Sequence, residues 1–392
     1  MLYNIRTTTT LCGFLVTLGT LAHTNAAGNI GDIKQPLWYQ PPSEKTLELA
    51  KIDDLSQTVV SDGEQGEKGV LASTLTVTDD QAAKIQAGKF TVGIAMGWLG
   101  DDWASQQLKG LKETFDKLGV KVVAETNADW DDSKQISNLE AIAAQKPSLL
   151  VSIPLNKKTT ALAYKKIQKS GTKVMFIDQA VDGMTAGKDY ISIVSSDNLA
   201  LGMYIADELA KAIGGTGDVA AMYFANDFYV TNLRYIGFIA RLMVKYPNMK
   251  LVAVAGHDDP NKGQEVAQAL LARYPKITGL YGSWSIPAMG AATAAQVAGR
   301  TPKNFKIVCE NFDQIVAANL AKGGFIAGIS SQRPYDQGVA EATAGALALI
   351  GAPVPTYIVV PPLAVDRQNL ADAYQTIYHI PLPGNMMADL KK

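Results

Sequence analysis

From Thr91 onward, short apolar runs alternate with stretches whose hydrophobic residues recur at helical spacing. In 91–119, Val92, Ile94 and Met96 predict a buried strand and Gly97–Asp102 a loop. Leu108, Leu111, Phe115 and Leu118 then mark one face of a helix that Gly119 stops. The same reading predicts strands near 91–96, 121–125, 149–153, 173–177 and 190–194, separated by helical stretches such as 132–145 and 157–170. A second series follows near 218–223, 250–255, 278–282, 306–309 and 325–329, with helices expected over 198–213, 229–246, 262–274 and 287–298. Each strand is an almost unbroken apolar run, as parallel strands covered on both faces should be. Two series of strand–helix units predict an α/β protein of two doubly wound, Rossmann-like lobes. A helix over about 336–350 and a tail punctuated by Pro353, Pro355, Pro361 and Pro362 complete the chain.

Residues 28–90 precede this pattern. They hold Pro36, Pro41 and Pro42, a polar tract from Asp62 to Lys68, and Thr78-Asp79-Asp80 ahead of a short capped helix ending near Ala87. They read as a partly ordered extension wrapped on the surface. Before them, Arg6, an apolar run from Leu11 to Ala22 and Asn25-Ala26-Ala27 fit a secretory signal peptide over 1–27, with an N-terminal anchor as the alternative. Its removal takes Cys12 and leaves Cys309 as the single cysteine, which suits an exported periplasmic protein without a disulfide.

With 392 residues, 47% of them hydrophobic, the chain can fill two cores. A net charge of −1 gives no global field for nucleic acid or anionic membrane. There is no Walker A loop, no GxGxxG after a strand, no HExxH and no GxSxG elbow, so the chain reads as a non-enzyme without cofactor or metal. His257 and His379 are far apart in sequence. Asp129, Asp131, Ser133 and Glu140 mimic calcium-loop spacing, but Lys134 stands where the turn needs Gly, and Asp132-Ser133 reads better as a helix start.

Polar and aromatic groups recur at strand ends. Trp98, Asp101 and Trp103 follow the first strand; Asp178 and Gln179 follow VMFI; Trp284 follows GLYG; Asn311 and Asp313 follow IVC; Gln332 and Arg333 follow GIS. This is the edge where open α/β sheets bind ligands. Carboxylates and amides suit vicinal hydroxyls, and aromatic faces suit the C–H faces of a sugar or polyol.

Several segments in order, IAMGWLGDDWASQQLKGLKETFDKLGVKVV, QISNLEAIAAQKPSLLVSI, VMFIDQ, IVSSDNLALGMYIADELA, GLYGSWSIPAMGAA and GGFIAGISSQRPYDQG, resemble the ribose- and galactose-binding group of type I periplasmic solute-binding proteins of ABC transporters. The resemblance covers roughly 90–375. It implies two lobes joined by three hinge strands, crossing near Ser195–Asn198, Ser331–Gln332 and Leu363–Asp366. Lobe one is then 91–195 plus 333–362, and lobe two 196–332 plus 363–392. It implies ligand contacts from Asp101, from Trp103 by stacking, and from Asp178 gripping hydroxyls. Gln179 stands where ribose binders carry Arg, and Trp284 where Asn is common. Asn232 or Arg234 matches an Arg of the second lobe, Asn311 or Asp313 a carboxylate near the hinge, and Gln332 the hinge Gln. The implied partners are a small sugar or polyol and an ABC permease, with the protein a monomer. Presentation of the closed form to a histidine kinase or chemoreceptor is the alternative. An acidic ligand paired with Arg234 and Arg333 is a further one.

Overall fold

The computed structural model describes residue 30 and residues 33–392; the expected signal peptide lies outside the described residues. Thirteen strands follow in chain order: β1 (Val70–Leu71), β2 (Thr91–Met96), β3 (Lys121–Asn127), β4 (Leu149–Ser152), β5 (Lys173–Ile177), β6 (Ile193–Ser196), β7 (Gly217–Phe224), β8 (Met249–His257), β9 (Gly279–Trp284), β10 (Lys306–Glu310), β11 (Ile326–Ser331), β12 (Tyr357–Val360) and β13 (Leu363–Val365). They form two sheets, ordered β1-β12-β6-β5-β4-β2-β3 and β13-β11-β10-β9-β7-β8. Pairing is parallel throughout, except that β13 runs antiparallel to β11. Each sheet contains the doubly wound order 2-1-3-4-5, and in such sheets the crevice opens at the carboxyl end, where the order reverses. Within the sheets β4, β9 and β12 are buried at every position; β4 and β9 fall on expected strands, whereas β12 lies in the proline-punctuated tail and was not expected as one.

From β2 onward the chain passes from one sheet to the other three times: between β6 and the helix Asn198–Ile213, between β11 and the helix Pro334–Leu349, and between β12 and β13. Beyond β13 the tail folds into helices Leu370–Tyr378 and Gly384–Leu390. The sequence pattern left these unread because proline punctuation masked their short apolar faces. Leu370, Ala373, Tyr374 and Ile377 all bury in the core of the second sheet.

Glycines let helices cross closely within that second unit. A Cβ on Gly202 would lie 1.9 Å from the Arg234 carbonyl oxygen, and one on Gly237 would lie 2.3 Å from that of Leu199. The helix Tyr229–Lys245, which carries Arg234, is thereby held against Asn198–Ile213 with no room for a methyl group.

The segment before β2 is far more integrated than the expected surface wrap. Thr78 caps the helix Asp79–Ala87 through a capping box with Gln81, as the sequence predicts. Upstream, Trp38 sets its edge against Tyr223 and Tyr235, and Ala50, Leu55 and Val60 pack with Leu199, Met203 and Ala240 of the second unit. Downstream, β1 extends the first sheet, Gln65 Nε2 donates to the Met184 carbonyl at 2.7 Å, and Lys157 pairs with Glu64 at 2.7 Å. The segment is thus a strap joined to both units. At its middle it meets the first crossing. The buried Asp197 carboxylate accepts from Val60 N–H at 2.6 Å, Ser61 N–H at 3.1 Å and Ser61 Oγ at 2.6 Å. Its own burial pushes the Asp197 pKa up against these bonds.

Ser61→Ala removes one donor from a buried carboxylate, and about 1–3 kcal/mol of stability should go with it. Denaturant unfolding of the variant, with an unchanged m value, checks this; a loss under about 0.5 kcal/mol would show the Ser61 hydroxyl to be dispensable.

Candidate functional site

A cleft opens between the carboxyl ends of the two sheets. From the first unit come Trp98, Asp101 and Trp103 after β2, Trp130 after β3 and Asp178 after β5. The second unit contributes Phe224 at the end of β7, Phe228, Val230, Thr231 and Arg234 along the next loop and helix, Trp284 at the end of β9 and Asn311 after β10. Gln332 comes from the second crossing.

Backbone strain marks this edge. Asp178, Ser283 and Asn311 each adopt the left-handed conformation at a strand end, with φ of 62°, 63° and 62°, and Asp129 and Trp130 do so in succession after β3, at 52° and 65°. Such conformations cost on the order of 1–3 kcal/mol each and cluster where a site requires them; Asp and Asn tolerate them best.

The aromatic wall is layered. Trp98 stacks on Trp103 at 5.2 Å and on Trp130 at 4.1 Å between ring centroids, nearly parallel in both cases. Trp284 meets Phe224 edge-on at 5.4 Å and His257 at 5.0 Å. His257 backs this wall as a neutral ring, since burial pushes its pKa down to about 4. Asp101 caps the helix Asp102–Lys117 by accepting from Ala104 N–H at 2.9 Å, and accepts from Trp98 Nε1 at 3.0 Å. Asp131 likewise caps Asp132–Ala144 through Lys134 N–H, so the calcium-like spacing is a helix start.

The polar floor is one network running through the first crossing. Ser195 Oγ donates to Asp178 at 2.7 Å, Asn198 Nδ2 donates to Ser195 Oγ at 2.8 Å, and Arg234 Nε donates to Asn198 Oδ1 at 2.8 Å. Arg234 Nη1 then reaches Glu310 at 2.5 Å, and the other Glu310 oxygen accepts from the Tyr281 hydroxyl. Burial raises the pKa of Asp178, while the Arg234 charge and the Ser195 bond pull it back. On the facing side Gln332 Nε2 donates to Asn311 Oδ1 at 2.9 Å. Gln332 Oε1 and Trp103 Nε1 are buried with no hydrogen-bond partner among the described residues. Buried polar atoms are rarely left so, and both border the cleft.

Of the residues singled out in the sequence, Trp98, Asp101, Trp103, Asp178, Arg234, Trp284, Asn311 and Gln332 converge on the cleft. Four do not line it, the first being Arg333, which pairs with Asp336 at 2.6 Å. The Gln179 amide is committed, donating to the Pro154 carbonyl and accepting from Tyr229 N–H. Asn232 turns to Asp227, so Arg234 is the residue that faces the cleft from this helix. Asp313 sits behind Asn311 in a smaller cavity shared with Asp102, Trp103 and Tyr378. Trp130, Phe224, Phe228, Val230 and Thr231 escaped the sequence reading, as did the buried Glu310. Phe224 and Glu310 each stand one position past an expected strand, 218–223 and 306–309, and were not singled out there. Trp130 lies in a loop whose only signal was a Trp between aspartates, exposed at 42%.

A cleft between two doubly wound units joined by three crossings, lined by rings and hydrogen-bonding groups, defines a two-lobed solute-binding protein. The model of the periplasmic binding protein domain family matches residues 92–353, and the chain belongs to that family. Its members bind solutes and are not enzymes. Among relatives, the chain is 26% identical over 213 residues to the ribose import binding protein RbsB of Bacillus subtilis, covering 54% of this chain and 67% of that one. It is 24% identical over 235 residues to the D-allose-binding periplasmic protein of Escherichia coli, covering 59% and 75%. Among solved structures, a carbohydrate transporter solute-binding protein from Agrobacterium radiobacter in complex with D-arabinose is 26% identical with a TM-score of 0.66, covering 74% of this chain and 99% of that one. One from Agrobacterium vitis bound with α-D-tagatopyranose is 25% identical with a TM-score of 0.68, covering 75% and 100%.

Burial, with the nearby Asp101 charge, raises the Asp313 pKa to about 7. A carboxyl raised in the folded state favours folding fully below its unfolded pKa of about 4, and that contribution is lost as pH rises through about 7. Asp313→Asn should therefore gain on the wild type between pH 4 and pH 8, by up to about 4 kcal/mol for a shift of this size. Unfolding free energies of both proteins at the two pH values check it; a constant difference would mean that Asp313 titrates normally.

Proposed function

We propose that this protein captures a small neutral sugar or polyol in the periplasm and hands it to an ABC permease. Residues 91–195 with 333–362, and 196–332 with 363–392, move as two lobes about the three crossings, and closure buries the ligand. The single observation that carries the reading is the cleft itself. Stacked tryptophans lie opposite Phe224 and Trp284, and Asp178, Asn311 and Gln332 stand between them. Rings cover C–H faces, while a carboxylate and two amides bind vicinal hydroxyls. The unpartnered Gln332 Oε1 and Trp103 Nε1 match a ligand that both donates and accepts. The relatives' names support import rather than signalling.

The chemistry disfavours an acidic ligand. Arg234 already pairs with Glu310, and Arg333 with Asp336. In its present form the cavity holds about 40 Å³, room for about three waters on that measure.

A thermal-shift screen of sugars, polyols and sugar acids, followed by calorimetry, tests the proposal. A neutral sugar or polyol should raise the melting temperature in a concentration-dependent way and change tryptophan fluorescence. Asp178→Ala should weaken its binding about 100-fold, the equivalent of about two charge-assisted hydrogen bonds, without unfolding the chain. Stabilisation by acids alone, or full affinity in Asp178→Ala, would overturn the reading.

A further inference from the structure

Arg234 brings a full positive charge to the cleft, yet that charge is answered before any ligand arrives. It is 4% exposed, and Glu310, at 1%, is its ion-pair partner at 2.5 Å. The two oxygens of Glu310 are both used, one by Arg234 and one by Tyr281. Arg234 Nε is used by Asn198. Glu310 does not line the cleft itself; it is the last residue of β10, immediately before Asn311, which does. The remaining charged groups lining the cleft, Asp101 and Asp178, are both acidic.

We infer that Glu310 is a specificity-determining residue: as the fixed counter-ion of Arg234, it makes the cleft select neutral polyhydroxylated ligands over the corresponding sugar acids. The inference rests on the sugar-binding reading and deepens it. An arginine without a resident carboxylate recruits one from the ligand, and the bidentate geometry of a guanidinium fits a carboxylate well. With Glu310 in place, an entering carboxylate finds a guanidinium already neutralised, two like charges at Asp101 and Asp178, and no recovery of its lost hydration. A hydroxyl loses far less on entry and can still accept from the guanidinium N–H groups that Glu310 and Asn198 leave unused. Discrimination here comes from an element that repels the wrong ligand as much as from contacts to the right one. Tyr281 and Asn198 are positioning residues in this scheme, holding Glu310 and Arg234 in register.

The test compares a neutral sugar found to bind with its own aldonic or uronic acid, by calorimetry at two ionic strengths. The wild type should bind the acid at least 10-fold more weakly, with no gain at low salt. Glu310→Gln keeps the shape and the tyrosine contact but exposes the Arg234 charge. It should shift the ratio of acid to neutral affinity at least 10-fold toward the acid and make acid binding salt-dependent. Glu310→Asp, which keeps the charge, should retain the wild-type preference. A wild type that binds acid and neutral ligand equally overturns the inference without any variant, as does a Glu310→Gln variant that folds and weakens both alike. If no neutral sugar or polyol binds the wild type at all, the underlying reading has failed and this inference falls with it.

Discussion

A buried guanidinium must be matched, and much of this molecule is arranged around how Arg234 is matched. Its helix can sit where it does because Gly202 and Gly237 let two helices touch backbone to backbone. Its Nε bonds Asn198, in the first residues after the chain leaves the first sheet. Its Nη1 bonds Glu310 at the end of β10. Asn198 passes the network to Ser195 and so to Asp178, on the other side of the crossing. Hinge, cleft floor and helix packing therefore share one set of hydrogen bonds, and in a low-dielectric interior a partly satisfied network of this kind is costly. A change in any member is felt in both lobes.

The architecture was legible because it rests on period and order. Parallel strands buried on both faces leave unbroken apolar runs, and glycine and proline punctuate the connections. Position at a strand end was also enough to find Trp98, Asp101, Trp103, Asp178, Trp284, Asn311 and Gln332, since doubly wound sheets bring those ends to one edge. The choice between Asn232 and Arg234 was not legible, because helical phase within one turn decides it and the loop before the helix sets that phase. Gln179 was misleading for a related reason: a side chain beside a cleft residue can be consumed by backbone groups, here Pro154 and Tyr229.

What the pattern hid most completely was the contribution of long-range partners. Glu310 ends an apolar strand, and nothing nearby in sequence reveals an arginine 76 positions away as its mate. The strap was hidden in the same way. Its prolines and polar tract resemble a solvated linker, yet Leu55 is 1% exposed and Val60 5%. The apolar residues are too sparse to show a period, and they become a core only because the helices Asn198–Ile213 and Tyr229–Lys245 supply the other half.

The strap also imposes an order on folding. Ser61 finds its carboxylate 136 residues later, and Val70 pairs with Ile358, close to the end of the chain. Local helices and the β2–β6 units can form from contacts close in sequence, but β1 has no edge to join until β12 exists. Contacts of such separation form late, because the intervening loop must be closed first. Residues 60–71 are made early in synthesis and yet seat among the last. Until then Leu55, Val60 and their acceptor surface on the second lobe are both exposed to solvent. The stretch that ties the two lobes together is thus also the stretch most open to capture by a chaperone, or to misassociation, while the rest of the molecule is already compact.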